Sequence, residues 1–375
     1  METKNILMTG ITGQDGSYMA EYCLNLGHVV YGMARRTAQI HDENYRHLLN
    51  NPNLKIVRGD SLDGGSLDSL VQKIKPDYFI NFAAQSFVGD SWQIPEETFM
   101  VSAVGVLKCL EAIRKYHPLC RFYNAGSSEQ FGNVLYCPQD EKHPFRPRSP
   151  YGAAKCAAHH LVKVYRESYG LYAVQGLLFN HESQKRSAEF VTRKITKGFA
   201  RIIQSIKKRQ PFEPIKLGNI DAKRDWSHAL DFVDAVWRML NQDVYNTLLK
   251  ELSGPALVSE LKEYVVASGQ CYTVRNFINI IIENLHHDCR WVGKGEDEVL
   301  ILNPEFIHRF NIQSSTLVAI DPIFYRPAEV EILLGDSSAI RKELGWSPKI
   351  SFDNLVKQML TSDINESGLI SNPTS

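Results

Sequence analysis

The sequence predicts an α/β fold with a doubly wound parallel sheet and a smaller C-terminal α/β lobe. The first half of the chain alternates short apolar runs with amphipathic stretches, which is typical of parallel strands covered by helices. A glycine-rich turn follows the first apolar run and opens the first amphipathic stretch. After residue 180 this alternation gives way to helical segments separated by loops rich in Lys, Arg and Pro, which indicates the second lobe.

The elements follow one another in a regular order. Strands are predicted at residues 4–9, 28–33, 54–57, 78–82, 121–124 and 173–178. Helices are predicted at residues 13–26, 66–74, 97–116, 150–168, 191–206 and 228–240. We therefore expect a dinucleotide-binding domain at residues 1–180, a substrate-binding lobe at 181–365 with some chain returning to the sheet, and a flexible tail at 366–375. Residues 244–262 look like an insertion with a short helix of its own.

Composition excludes several classes of protein. The chain has 375 residues, 43% hydrophobic and 22% charged, with a formal net charge of zero, so nothing indicates a nucleic-acid or membrane partner. It has no apolar run of about 18 residues and no signal-peptide pattern, which predicts a cytoplasmic protein. Its seven cysteines include no CxxC pair, so we expect free thiols and no metal site.

The turn after the first predicted strand has the spacing of a phosphate-binding site. Its three glycines allow a tight turn and close approach of the backbone to a pyrophosphate, and the following helix offers N–H groups and the positive end of its dipole. This arrangement predicts a Rossmann-type domain. The residues expected to bind the cofactor here are Gly10, Thr12, Gly13, Gln14, Asp15 and Gly16.

Two arginines after the second predicted strand indicate which dinucleotide binds. An enzyme that uses NAD would place an acid there for the ribose 2′-hydroxyl, whereas Arg35 and Arg36 suit the 2′-phosphate of NADP. Asp60 and Ser61 end the next strand, where they could hydrogen-bond the adenine. The fourth strand ends in mostly small residues that would let the cofactor lie close. These are Phe82, Ala83, Ala84, Gln85 and Ser86.

Four residues form a candidate reacting group. Tyr151 and Lys155 are four residues apart on one predicted helix, so they share a face, and a nearby cation should lower the phenol pKa towards neutrality. Upstream, the Ser127 hydroxyl could hydrogen-bond the substrate oxygen that Tyr151 deprotonates. Glu129 distinguishes the group, because breaking a C–H bond beside a carbonyl needs a base whereas hydride transfer alone does not.

The chain resembles the GDP-mannose 4,6-dehydratases of the extended short-chain dehydrogenase/reductase family over nearly its whole length. In the first half the resemblance rests on the Arg35–Arg36 pair and on TGITGQDGSYMAE (9–21), NFAAQSFVGDSW (81–92), SSEQFG (127–132) and PRSPYGAAK (147–155). In the second half it rests on LFNHES (178–183), FVTRKI (190–195), LGNIDAKRDWSHA (217–229) and YRPAEVEILLGD (325–336). The second group of segments separates these enzymes from dTDP-glucose dehydratases and simple reductases.

The resemblance implies an NADP-dependent lyase that oxidises carbon 4 of a GDP-sugar, eliminates water across carbons 5 and 6, and returns the hydride to carbon 6. Tyr151, Lys155, Ser127 and Glu129 would be catalytic, and His181 and Arg186 would lie beside the cofactor. The implied substrate-binding residues are Ser86, Ser128, Asn180, Val191, Lys194, Gly218, Arg224, Arg326 and Glu329. The resemblance further implies a homodimer or homotetramer.

Some positions depart from the family pattern. Ser127 replaces a common threonine, Gly126 a serine, and Gln184–Ser187 a Pro-Arg-Arg-Gly run that keeps its second arginine. Glu189 replaces an asparagine expected to touch the substrate, and a carboxylate beside a diphosphate is repulsive unless it pairs with a cation or a sugar hydroxyl. These differences make GDP-manno-heptose a rival to GDP-mannose as the substrate. A related nucleotide-sugar reductase or epimerase would share most of these motifs, and so would a catalytically inactive NADP-binding protein.

Overall fold

The computed structural model describes residues 2–37, 41–243, 258–285, 289–325 and 332–368. Its strands are β1 (Asn5–Thr9), β2 (Val29–Ala34), β3 (Leu54–Arg58), β4 (Tyr78–Asn81), β5 (Arg121–Ala125), β6 (Ala173–Leu178), β7 (Asn180–Glu182), β8 (Ile215–Leu217), β9 (Lys223–Arg224), β10 (Trp226–His228), β11 (Tyr264–Val266), β12 (Tyr272–Thr273), β13 (Cys289–Val292), β14 (Val299–Leu302), β15 (Thr316–Ile320) and β16 (Ile332–Leu333).

Its α-helices are α1 (Gln14–Asn25), α2 (Gly64–Ile74), α3 (Pro95–Phe99), α4 (Gly105–Tyr116), α5 (Pro150–Tyr169), α6 (Val191–Lys207), α7 (Ala229–Leu240), α8 (Val274–Leu285), α9 (Pro304–Phe310), α10 (Ser338–Leu344) and α11 (Phe352–Glu366). Short 3₁₀ turns lie at Arg46–Leu48, Asp90–Trp92, Ser128–Gln130, Gly295–Asp297 and Pro322–Phe324. A π-helical turn at Met100–Val104 joins α3 to α4, so the helix predicted at 97–116 begins two residues earlier, at Pro95. Within the described ranges, no helix is both long and apolar enough to cross a membrane.

A seven-stranded sheet confirms the predicted Rossmann-type fold. Its order is β3-β2-β1-β4-β5-β6-β11, and all neighbouring strands are parallel. Strands such as β4 and β6 are buried along their whole length, which is why most of their residues are apolar. The outermost strand, β11, is chain from the second half that returns to the sheet, as the sequence predicts.

Helices cover both faces of this sheet. On one face α2, α4 and α5 contribute buried residues such as Val71, Leu110 and Val162. On the other face α1, α7 and α10 contribute residues such as Met19, Phe232 and Ile340. Because the order of the strands reverses between β1 and β4, a crevice forms at their carboxyl ends, where α/β proteins bind ligands.

The second lobe is built on a four-stranded mixed sheet of order β13-β14-β15-β8. Helices α6, α8 and α11 pack in one apolar cluster with this sheet, through residues such as Phe199, Phe277 and Met359. Two small sheets, β10-β7 and β12-β9-β16, carry several of the predicted substrate residues. The domain boundary at residue 180 stays a prediction.

Two predicted features lie partly outside the residues that the structure describes. Most of the insertion at 244–262 lies outside the described residues, as do positions 369–375 of the predicted tail. The start of that tail differs from the expectation, because Glu366 still belongs to α11. Its carboxylate accepts hydrogen bonds from Arg193 at 3.2 and 3.3 Å, which holds the end of α11 against α6.

Candidate active site

Three adjoining cavities form one cleft along the carboxyl edge of the parallel sheet. The strand-end cavity is lined by residues that follow β1 to β4, including Gly10, Arg35, Asp60 and Ser86. The central cavity is lined by the candidate reacting residues, and the lobe cavity by residues of the second lobe. Phe87 lines all three, so the cleft is continuous from the sheet to the lobe.

The glycine turn between β1 and α1 has the shape of a phosphate cradle. Gly10 has a φ of +72°, and a Cβ added to Gly16 would lie 2.2 Å from the Gly10 carbonyl oxygen, so larger residues would push the helix away from the turn. Gly13 is the N-cap of α1 and provides no side-chain cap, which leaves the first N–H groups of the helix available to an anion. The turn therefore fits a pyrophosphate.

Not every residue predicted in this turn faces the cavities. Gly10 and Thr12 line the strand-end cavity and Asp15 the central cavity. Gln14 instead points towards β7, where its amide donates to the His181 carbonyl at 3.0 Å and its oxygen accepts from the Ser183 hydroxyl at 2.7 Å. Gln14 thus connects the turn to the second half of the chain.

The two arginines after β2 are placed differently. Arg35 lines the strand-end cavity together with Asp60 and Ser61, whereas Arg36 is exposed and is not among the lining residues. Arg58, at the end of β3, donates to the Arg35 carbonyl at 3.0 Å. Arg58 is therefore a third cation close to Arg35 and Arg36. The sequence did not indicate its position, because Arg58 belongs to a different strand.

A chain of buried side-chain hydrogen bonds crosses four strands beneath the cleft. Thr9 donates to Asn81 at 2.6 Å, Asn81 to Asn124 at 2.8 Å and Asn124 to Gln175 at 2.5 Å. Gln175 donates at 3.1 Å to the Gln130 oxygen, which also accepts from the Ser127 backbone N–H at 2.9 Å. This chain fixes the loop after β5 relative to β1. The sequence analysis did not detect it, because its members lie in separate strands.

The four candidate catalytic residues all line the central cavity. Tyr151 and Lys155 are buried on one face of α5, and the Lys155 ammonium donates to the Ala125 carbonyl at 2.7 Å, with Nζ 5.6 Å from the centre of the Tyr151 ring. The Ser127 hydroxyl lies close enough to the Tyr151 phenol to act on its pKa. Glu129 follows in a 3₁₀ turn. Its backbone carbonyl packs against Gly152, because a Cβ added to Gly152 would lie 2.6 Å from the Glu129 carbonyl oxygen.

The acid–base properties of this pair differ from the expectation. Burial raises the pKa of Tyr151 to about 12, although the Ser127 hydroxyl and the charge of Arg186 act in the opposite direction, and Glu129 raises it further. Burial also lowers the pKa of Lys155 to about 8. The predicted lowering of the phenol pKa is therefore not found, because desolvation outweighs the cations around the ring.

We predict that kcat falls as the pH rises through about 8. Lys155 carries its charge only below its pKa of about 8, and a neutral amine cannot stabilise a phenolate at Tyr151. The measurement is a pH–kcat profile, with the thermal unfolding midpoint followed over the same range to exclude unfolding. A flat profile up to pH of about 9.5 would show that the charge of Lys155 is not needed.

His181 and Arg186 lie beside the reacting residues. The His181 ring contacts the Asp15 carboxylate at 2.9 Å and the Phe179 carbonyl at 2.7 Å, so both nitrogens face acceptors. Burial disfavours the charged ring, but Asp15 outweighs it and holds the pKa of His181 above its ordinary value. The Arg186 guanidinium stacks on Phe190 at 3.5 Å from the ring centre. Both residues line the central cavity.

The predicted substrate residues divide between the central and lobe cavities. Ser86, Ser128 and Asn180 line the central cavity, and the Asn180 side-chain oxygen is buried there without a protein partner among the described residues. Val191 and Arg224 line both cavities, whereas Lys194 and Gly218 line the lobe cavity alone. Arg326 and Glu329 lie outside the described residues.

Aromatic walls are the main feature of the cleft that sequence reasoning missed. Phe87, Trp226 and Phe324 line the cavities, and the Lys194 ammonium lies 3.3 Å from the centre of the Phe324 ring. These walls offer flat apolar surfaces for a base or a sugar ring. The signal was present, since Phe87 and Trp226 belong to segments that carry the family resemblance.

The chain is similar to one family of known proteins over nearly its whole length. The family model described as GDP-mannose 4,6 dehydratase matches residues 7–359. A relative from Vibrio cholerae serotype O1, named GDP-mannose 4,6-dehydratase, is 42% identical over 98% of this chain and 95% of its own length. A relative of the same name from Homo sapiens is 39% identical over 96% of this chain and 91% of its own length.

Solved structures show the same fold at lower identity. The RMD structure from Pseudomonas aeruginosa, complexed with NADPH, superposes with a TM-score of 0.69 at 21% identity and covers 97% of this chain and 100% of its own. A UDP-N-acetylglucosamine 4-epimerase from Methanobrevibacter ruminantium superposes with a TM-score of 0.74 at 20% identity and covers 98% of this chain and 100% of its own.

Proposed function

Because the chain belongs to the GDP-mannose 4,6-dehydratase family, we propose that its cleft converts GDP-mannose to GDP-4-keto-6-deoxymannose as an NADP-dependent hydro-lyase. One observation carries the proposal: Glu129 lines the same cavity as Ser127, Tyr151 and Lys155. A reductase or epimerase needs only the hydroxyl, phenol and ammonium to move a hydride and one proton. A carboxylate beside them supplies the base that elimination requires.

NADP fits the residues of the strand-end cavity. The glycine turn and the open N-terminus of α1 suit its pyrophosphate, Arg35 suits the 2′-phosphate, and Asp60 and Ser61 suit the adenine end. When bound, NADP would take a hydride from carbon 4 of the sugar and return it to carbon 6. The remaining residues predicted to bind it are those after β4, together with His181 and Arg186.

The side chains then divide the proton transfers between them. Tyr151, which lies beside Ser127, takes the proton of the 4-hydroxyl, and the charge of Lys155 stabilises the phenolate needed for this. The ketone at carbon 4 acidifies carbon 5, so Glu129 removes that proton and gives it to the hydroxyl leaving carbon 6 as water. Tyr151 returns its proton to carbon 5, which balances the reaction as the loss of one water.

Other residues of the cleft hold the substrate. Arg224 and Lys194, at the lobe cavity, are placed to contact the diphosphate, and the unsatisfied oxygen of Asn180 can accept from a sugar hydroxyl. Arg326 and Glu329 are proposed to hold the diphosphate and ribose on the family resemblance alone. The aromatic walls formed by Phe87, Trp226 and Phe324 would exclude water from the cleft.

Glu189 places a carboxylate in the path of an anionic substrate. It lines both the strand-end and the lobe cavities, between the proposed positions of two diphosphates. We predict that Glu189→Gln lowers the KM for GDP-mannose about 3- to 10-fold at low ionic strength, with less effect at high salt, because removing the charge removes repulsion. Initial-rate kinetics at two salt concentrations measure this, with the exposed Glu296→Gln as control. A higher KM would instead assign Glu189 as an acceptor for a sugar hydroxyl.

The assembly and location of the enzyme are part of the proposal. Exposed apolar side chains on α3 to α5 and the π-helical turn between them, among them Phe99, Met100, Tyr116, Val164 and Tyr169, support a homodimer through these helices, with a homotetramer as the larger form. All seven cysteines are free, which supports a reducing compartment and therefore the cytoplasm. Light scattering after size-exclusion chromatography measures the assembly.

The direct test is an incubation of the purified protein with NADP and GDP-mannose, analysed by mass spectrometry for loss of one water. A parallel sample with GDP-manno-heptose tests the rival sugar. Water loss from GDP-mannose supports the proposal. Water loss from the heptose alone keeps the chemistry and changes the substrate, and reduction or epimerisation without water loss contradicts a dehydratase.

A further inference from the structure

Strand β7 and the residue after it contact three other parts of the cleft. His181 contacts Asp15 at 2.9 Å, and the Ser183 hydroxyl donates to Gln14 at 2.7 Å, so both tie β7 to the phosphate cradle. Glu182, between His181 and Ser183, instead contacts Arg186 and Thr192. Only 2% of the Glu182 residue is exposed, and it lines the central cavity.

One oxygen of Glu182 joins two groups that serve different ligands. Oε2 accepts from the Thr192 hydroxyl at 2.6 Å and lies 3.2 Å from Arg186 Nε. Arg186 faces the proposed cofactor and Tyr151, whereas Thr192 belongs to the first turn of α6, between Val191 and the substrate residue Lys194. Thr192 is buried and is not among the lining residues of the three cavities.

Two side chains tie the first turn of α6 to other elements. Arg193 pairs with Asp363 and Glu366 of α11, and Thr192 bonds Glu182 of β7. Its N-cap residue, Phe190, makes no side-chain cap hydrogen bond, so the bond from Thr192 to Glu182 is what fixes the first turn against β7. A buried carboxylate near a helix N-terminus is also favoured by the helix dipole. If Glu182 shifts, Arg186 and the first turn of α6 must shift with it.

Building on the proposed function, we infer that Glu182 is a positioning residue that couples the cofactor-side Arg186 to the substrate-side first turn of α6. Occupancy of one side therefore affects the other. Arg186 reaches Thr192 through the carboxylate, in addition to its own stacking contact with Phe190 at the N-cap of α6. This coupling makes a definite prediction for Thr192, which touches neither ligand.

The test is a double-mutant cycle of Thr192→Val and Arg186→Gln, read out by the NADP dissociation constant from intrinsic fluorescence. Thr192→Val should weaken NADP binding about 3- to 10-fold, and the loss in the combined variant should be smaller than the product of the single losses. Thr196→Val, one turn along the same buried face of α6, is the matched control and should leave binding unchanged. Glu182→Gln should reproduce the loss of the combined variant.

Two results would overturn the inference. The first is NADP binding by Thr192→Val equal to that of the wild type, and the second is losses that multiply in the combined variant. A purely structural role predicts a lower thermal midpoint for Thr192→Val with unchanged NADP binding, so both are measured. The double-mutant cycle of Thr192 and Arg186 still tests the coupling if Glu182→Gln does not fold. Because it reads binding rather than turnover, it stays valid if GDP-mannose is not dehydrated.

Discussion

Replacing Glu129 with glutamine is expected to lower kcat for dehydration about 10³-fold while leaving the oxidation of the sugar intact. Glutamine keeps the size of the side chain but cannot take the proton of carbon 5 or give one to the leaving hydroxyl. Tyr151, Ser127 and Lys155 are unchanged and still line the cavity, so the first half of the reaction should proceed. The variant should therefore accumulate reduced cofactor without releasing water.

Two measurements separate these steps in the Glu129→Gln variant. Mass spectrometry follows the loss of water, and the absorbance of the reduced nicotinamide follows oxidation at carbon 4. Glu167→Gln is a suitable control, because Glu167 lies on α5 with 55% of its side chain exposed and pairs with Lys163 at 3.8 Å on the same helix. Dehydration at the wild-type rate would assign the base to another residue.

Replacing Tyr151 with phenylalanine is expected to lower kcat about 10³- to 10⁴-fold and to abolish both signals. Without the phenol nothing takes the proton of the 4-hydroxyl, so no reduced cofactor should form and Glu129 has no acidified carbon to act on. Tyr151 is buried beside Ser127, and phenylalanine fills the same space, so the fold should remain.

The control for this variant is Tyr136→Phe, outside the three cavities, where 43% of the residue is accessible. Unchanged NADP binding in Tyr151→Phe would show that the effect lies in proton transfer. Accumulation of reduced cofactor in this variant would contradict the assignment, because oxidation would then proceed without the phenol.

The sequence was sufficient to predict six of the seven strands of the central sheet and the shared helical face of two candidate catalytic residues. Strands such as β6 are buried on both faces and so consist mostly of apolar residues. Tyr151 and Lys155 are one helical turn apart, which places them on one face wherever the helix packs. Both predictions depend on local patterns only.

Other features depend on packing between distant segments and could not be predicted in the same way. Strands β9 and β10 have two and three residues, too few for a periodic pattern, although they carry Arg224 and Trp226. The pKa of Tyr151 is set by the depth of its burial, which its spacing from Lys155 does not indicate. The hydrogen bond of Glu182 with Thr192 and its ion pair with Arg186 join residues that only the folded chain brings together.

We propose that one cavity oxidises carbon 4, eliminates water and returns the same hydride to carbon 6. The deciding experiment uses GDP-mannose deuterated at carbon 4 and the enzyme with bound NADP. We expect a dehydrated product that carries the deuterium at carbon 6, with no net reduction of NADP. Deuterium that remains at carbon 4, or that appears in released NADPH, would contradict it.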